Sequence, residues 1–158
     1  MITEYLKSFI TNNLIQVALI SVITSQSLKI ILTLILEHKF DTSRIFGDGG
    51  MPSSHSTVVT SVAMVCGFAN GFNSYLFGIA FIVAYIVMHD AKGVRLETGK
   101  QAEVINDMIK LLTKMGQPDL SPEKKLKEFV GHTPIQVIAG CVLGLIIGIV
   151  FCYIKGLI

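Results

Sequence analysis

Hydrophobic positions along the chain are bunched into four runs, Leu14 to Leu36, Ser56 to Ala69, Tyr75 to Met88 and Pro134 to Ile154. A helix needs roughly 20 apolar residues to cross the hydrocarbon core of a bilayer. The first and last runs meet that length. The middle two are shorter and are hinged at Asn70-Gly71-Phe72-Asn73, as a tight pair of short helices inside a bundle would be. The predicted spans are 14–36, 56–70, 75–89 and 134–154. Ahead of them, residues 1–13 mix Glu4 and Lys7 with Ile2, Tyr5, Leu6, Phe9 and Ile10, the pattern of an amphipathic lead-in at the interface. No small-residue cleavage site follows, so no cleavable signal peptide is expected.

The connection 90–133 is patterned too. Ala102, Ile105, Met108, Ile109, Leu112 and Met115 recur at helical spacing with Glu103, Asn106, Asp107, Lys110 and Lys114 between them. An amphipathic helix is therefore predicted over 101–115, lying on the membrane or against the bundle. Gly116-Gln117-Pro118 ends it. Ser121-Pro122 then opens a short helix through Glu128 to Val130, with a capping serine and a proline at the first helical position.

Composition sharpens this picture into an all-α integral membrane bundle of one domain. Of the 158 residues 51% are hydrophobic and only 15% charged, too oily for a soluble domain of this size. With about four crossings, Glu37–His55 and Asp90–Thr133 share one face and both termini the other. The first face carries Lys39, Arg44, Lys92, Arg95, Lys100, Lys110, Lys114, Lys124, Lys125 and Lys127; the second has only Lys7 and Lys155. The positive-inside tendency then makes the loop face cytoplasmic, in a multi-pass protein of a bacterial-type plasma membrane. Cys66, Cys141 and Cys152 lie inside apolar runs and read as small buried hydrophobes.

Five polar features interrupt or border the apolar runs: Lys29, Pro52–Ser56, His89-Asp90 to Arg95, His132 and Gln136. An ionisable residue inside a span is a functional candidate by default. Lys29 either serves a site or reaches a polar neighbour or the headgroups. His55 and His132 each stand at the loop-face end of a span, after the glycines Gly49-Gly50 and Gly131. Two histidines converging with lysine and arginine suggest the handling of phosphate, an anion that cations and helix N-terminal amides stabilise. One imidazole can attack phosphorus while the other protonates the leaving oxygen. The competing chemistry is a metal site around His89-Asp90 joined by His55 and His132, but no second carboxylate cluster and no H-x-x-x-H pair accompanies it. His38, beside Glu37 and Lys39, reads as a solvated loop residue.

Three motifs, Gly49-Gly50-Met51-Pro52-Ser53-Ser54-His55-Ser56, Asp90-Ala91-Lys92-Gly93-Val94-Arg95 and Gly131-His132-Thr133-Pro134-Ile135-Gln136-Val137, together resemble the small divergent branch of the type 2 phosphatidic acid phosphatase superfamily. The resemblance runs from about Gln26 to the C-terminus and implies that superfamily's helical core. It also implies a nucleophilic His132 that forms a phosphohistidine, with His55 as acid and then base. Ser53, the Ser54 amide and Lys29 would bind phosphate, with Arg95 in the place of the third-motif arginine and Arg44 in that of the first. No metal or cofactor is implied. Two departures stand out. Arg44 is further from Lys29 than in the superfamily pattern and is followed by Ile45 rather than proline. Gln136 occupies the position of the aspartate that orients the nucleophile, so that either Asp90 or Glu128 supplies the missing charge or turnover is slow.

Two functions are expected on this footing. The first is a metal-independent membrane phosphatase hydrolysing a lipid phosphate or pyrophosphate through phosphohistidine. The alternative is a non-enzymatic lipid-phosphate binder, translocator or scaffold with a degenerate site. The bilayer and its lipid phosphates are the expected partners, and nucleic acid is not. Gly140, Gly144 and Gly148 form a small-residue face on the last helix suited to close packing, against a second copy in a homodimer or against the chain's own bundle.

Overall fold

A single extended residue, Asn12, separates the lead-in helix α1 (Ile2–Thr11) from α2 (Asn13–Glu37). Its side-chain oxygen accepts from the Leu14 N–H at 2.9 Å and the Ile15 N–H at 3.3 Å, serving amide groups that the first turn of α2 leaves over. The computed structural model describes residues 1–37, 50–115, 126–128 and 131–158. Among these, α3 (Ser54–Asn70), α4 (Tyr75–Lys92), α5 (Val94–Lys114) and α6 (Pro134–Ile154) complete the chain, with no strand. Arg44, His38 and most of the short helix expected after Ser121 lie outside the described residues.

The packing is that of a membrane bundle. Ser21, Ser25, Lys29, Ser53, Ser56, Thr57 and Ser61 are buried, while Leu19, Ile23, Ile79, Ile82, Ile138 and Ile146 are exposed. In water this distribution would be inside out; in a bilayer the exposed apolar side chains meet lipid. Among the described residues, three stretches are long and apolar enough to cross a membrane: Asn13–Ile35, the run from Tyr75 whose apolar part is α4, and Pro134–Ile154. The fourth expected span, α3, is shorter, at about 25 Å by helix rise. It occupies the middle of the bundle, packed against α2, α4 and α6.

Two devices hold α3 there. The buried Ser21 and Ser61 hydroxyls are 2.7 Å apart and join α2 to α3. On the other side, the glycine face of α6 lies directly on α3. A Cβ at Gly140 would fall 2.4 Å from the Ser53 carbonyl oxygen, and one at Gly144 would fall 2.5 Å from that of Thr57. The small-residue face thus serves packing within the chain, where bare backbones can approach.

The hinge between α3 and α4 covers residues 71–74. Gly71 has φ +88°, which favours glycine. The Phe72 ring fills the space beside Gly67, and the Ser74 hydroxyl caps α4 by accepting from Phe77 N–H at 3.2 Å.

The amphipathic helix is longer than its apolar repeat, starting at Val94 directly after the break at Gly93. Its buried stripe is Gly99, Ala102 and Asn106, whereas Val104, Met108, Leu111 and Met115 are exposed. That face is suited to the bilayer interface. Asn106 receives the returning chain. Its amide donates to the Leu126 carbonyl and to Glu128 Oε1, both at 2.9 Å, and its oxygen accepts from Leu126 N–H at 3.1 Å.

Candidate functional site

Local sequence builds the third motif first. Thr133 caps α6, Pro134 stands in its first turn, and Gln136 closes a capping box in which cap and third residue satisfy each other's amide groups. The Gln136 side-chain oxygen accepts from Thr133 N–H at 3.1 Å and lies 3.3 Å from His132 Nδ1. One amide therefore caps the helix and orients the imidazole. The Thr133-x-x-Gln136 spacing is the sequence signal for this arrangement.

His132 is fixed from three more sides. Its N–H donates to the Ala91 carbonyl at 3.1 Å, tying it to the end of α4. The preceding Gly131 rests on the backbone of Arg95 and Leu96, where a Cβ would fall 2.3 Å from the Leu96 Cα, so only glycine fits. The ring also hydrogen-bonds the Gly50 carbonyl. Gly50 has φ +97° and lies against the Lys29 side chain, whose Cδ is 3.3 Å from where a Cβ would stand. His132 is 2% exposed and Lys29 3%.

Burial pushes the His132 pKa below its ordinary value, since a charged ring loses solvation there. The Gln136 hydrogen bond opposes this, the positive charges of Lys29 and His55 reinforce it, and the Gly50 carbonyl opposes it again. A neutral imidazole has one N–H and serves one acceptor at a time, while imidazolium would serve both Gln136 and Gly50. The lowering wins, leaving a neutral ring with a free lone pair near pH 7.

The first motif meets the third. Ser53 N–H donates to the Gln136 carbonyl at 3.1 Å, and the fully buried Ser53 hydroxyl caps α3, accepting from the Ser56 hydroxyl at 3.0 Å and the Ser56 N–H at 3.4 Å. Ser53 is thus engaged inside the protein. Ser54 is half-buried, in the first turn of α3, and its hydroxyl has no partner among the described residues. His55 is exposed and acts on His132 through its charge.

The second motif is arranged differently from the expectation that Asp90 or Glu128 charges the nucleophile. Asp90 Oδ2 pairs with Arg95 Nε at 2.6 Å, both side chains part-exposed. Glu128 is held by Asn106. Among the described residues the partner of the His132 Nδ1 is Gln136. His89 is exposed beside the Tyr85 ring, and no group of His, Cys, Asp and Glu able to hold a metal occurs among the described residues. Sequence reasoning singled out Gly50 only as a glycine ahead of His55, and gave Ala91 and Asn106 no part in the site. Gly50 and Ala91 act through backbone carbonyls, and Asn106 has no sequence signal of its own.

The lowered His132 pKa makes a pH prediction. A nucleophilic ring must be unprotonated, so the acid limb of kcat/KM should lie below the ordinary histidine range near 6.5. In Gln136→Glu the carboxylate keeps both hydrogen bonds and favours imidazolium, so the limb should move to higher pH. A profile that does not move on substitution would remove Gln136 from this role.

A family model described as "Divergent PAP2 family" matches residues 10–147. The "uncharacterized membrane protein YuiD" of Bacillus subtilis (strain 168) is 36% identical over 154 residues, covering 91% of this chain and 96% of that protein. No solved structure matches.

Proposed function

Because the chain belongs to the divergent PAP2 family, we propose that it is a metal-independent phosphatase of the membrane, hydrolysing a phosphate ester or pyrophosphate carried by a lipid. The observation that carries the proposal is the buried His132, held at Nδ1 by Gln136, with Lys29 and His55 close enough for their charges to act on it. The His132 Nε2 lone pair attacks phosphorus as the bond to the leaving oxygen breaks. His55 gives that oxygen its proton. His55, now neutral, takes a proton from water as the water oxygen attacks the phosphohistidine, releasing phosphate and freeing Nε2. Lys29 and the amides of the first turn of α3 offset the phosphate charge. The motif loops face the cytoplasm in this reading, following the lysine and arginine distribution.

The test is phosphate release by the purified protein in detergent from a panel of lipid phosphates and pyrophosphates. Removing the proton donor in His55→Ala should lower turnover about 100-fold or more on an alkyl phosphate. The loss should be much smaller on a nitrophenyl phosphate, whose leaving group needs no proton. Equal losses on both would contradict the role of His55 as acid.

Two features favour a second reading, a phosphate-binding membrane protein without turnover. Gln136 supplies an amide where a carboxylate would stabilise imidazolium, and Arg95 is paired with Asp90. Vanadate binding with no phosphate release from any member of the panel would establish that reading over hydrolysis.

A further inference from the structure

From Ala102 onward α5 divides lengthwise into three arcs, set by the helical advance of about 100° per residue. One arc holds Val104, Met108, Leu111 and Met115, which are 59%, 56%, 60% and 79% exposed. A second carries Glu103, Asp107, Lys110 and Lys114, all exposed, with Lys110 Nζ and Asp107 Oδ1 paired at 2.6 Å. The third is the buried flank of Ala102 and Asn106. A helix that only packs on its own protein needs one apolar face, and buries it. This helix has a packed flank and, apart from it, an exposed apolar arc. Among the described helices α5 meets only α4.

The place of α5 in the chain says what covers that arc. α4 shows Ile79, Ile82 and Ile86 to the lipid and ends at Lys92, and Gly93 alone separates it from α5. The two steps of chain from Lys92 to Val94 span at most about 7 Å. α5 therefore starts at the level where α4 leaves the hydrocarbon. A helix at that level, with an apolar arc turned away from a charged one, has the build of an in-plane membrane helix. In water its apolar side chains would form one continuous exposed strip. At the boundary of headgroups and acyl chains they are covered, and the charged arc faces water.

The flank ties α5 to the candidate site. Asn106 makes three hydrogen bonds to Leu126 and Glu128, and Gly131 rests on the backbone of Arg95 and Leu96. The chain returning to α6 is thus held by α5 at two places just ahead of His132. One helix has lipid on one side and the approach to the candidate nucleophile on another.

We propose that α5 is a membrane-docking helix, seated by its apolar arc at the headgroup–acyl boundary of the phospholipid bilayer, and that this seating fixes the returning chain that carries His132. Only what the fixed chain does for turnover rests on the phosphate-site reading above.

The chain has no tryptophan, so one introduced indole reports one position. The full-length protein is placed in phosphatidylcholine vesicles with or without bromine on the chain carbons near the headgroup. Leu111→Trp should lose about half its emission or more to the brominated lipid, because docking sinks the apolar arc about 5–10 Å into the boundary. Glu103→Trp, on the charged arc, should keep nearly all of it. Equal quenching at the two positions, or none at 111, would overturn the docking. A blue-shifted but unquenched indole at 111 would also overturn it, by showing the arc buried against a second copy.

Hydrogen exchange of the backbone N–H groups at 126–133 reads the link to the site. Met108→Glu puts a charge on the apolar arc and should speed that exchange about tenfold while leaving the spans unchanged. Asn106→Ala should speed it too, with the indole of Leu111→Trp still quenched. Exchange unchanged in Asn106→Ala would overturn the link, as would exchange unchanged in Met108→Glu, or in Val104→Glu should Met108→Glu not fold. Neither measurement needs phosphate. A protein that meets both expectations but neither binds vanadate nor releases phosphate would reject the phosphate reading alone, and phosphate release from an undocked α5 would reject the docking alone.

Discussion

His132→Ala is expected to abolish phosphate release, lowering turnover by at least about a thousandfold, because the atom that would form the bond to phosphorus is gone. The backbone around it should survive. The bond to Ala91 uses the His132 N–H, and the capping box of α6 uses Thr133 and Gln136. The variant should therefore keep its thermal unfolding midpoint and still bind vanadate through Lys29 and the α3 amides. Stopped-time phosphate assays beside vanadate titrations separate the two effects. Substantial turnover in the alanine variant would show that another group attacks phosphorus.

The second large effect concerns stability. Gly140→Leu places a Cβ where the Ser53 carbonyl oxygen would be 2.4 Å away, and a backbone atom capping a helix cannot rotate aside. Relief requires α6 and α3 to separate, at about 3 kcal/mol or more. The unfolding midpoint in detergent should fall on the order of 10 °C, and the site should loosen with it because Ser53 bonds Gln136. Gly78→Leu provides the contrast. A Cβ there would meet nothing within 4 Å, so no helix has to move aside. A loss at Gly78 as large as that at Gly140 would contradict the close backbone approach as the source of the effect.

Much of the architecture was legible because hydrocarbon imposes long apolar runs, and those runs mark α2, α4 and α6 in the sequence. Lys29 was legible for the same reason, as a charge where charge is expensive. The central position of α3 was not. Its length and hydroxyl-rich face become intelligible only beside Ser21 and the glycines of α6, partners distant in sequence. The start of α5 was missed because its first turns lack the apolar repeat that marks the rest.

In the site, the two histidines and the neutral Gln136 could be read from motif order, and the structure pairs Gln136 with the His132 Nδ1. The partner of Arg95 could not be read. Asp90 lies five positions earlier across the break at Gly93, where helical spacing rules lapse. The contact between Gly50 and Lys29 was likewise out of reach, since it joins a loop backbone to a side chain inside a span.

Gln136 has one further consequence. Its side chain holds His132 and its carbonyl holds Ser53, so a single residue serves as datum for both the first and the third motif. If α6 slipped by one residue it would advance about 1.5 Å and turn about 100°, carrying that datum away from both. A small rigid-body slide or tilt of α6 would instead take the cap of α3 and the imidazole along with it. The spacing of the two motifs is thereby insulated from the changes in bilayer thickness and tilt that a spanning helix must absorb.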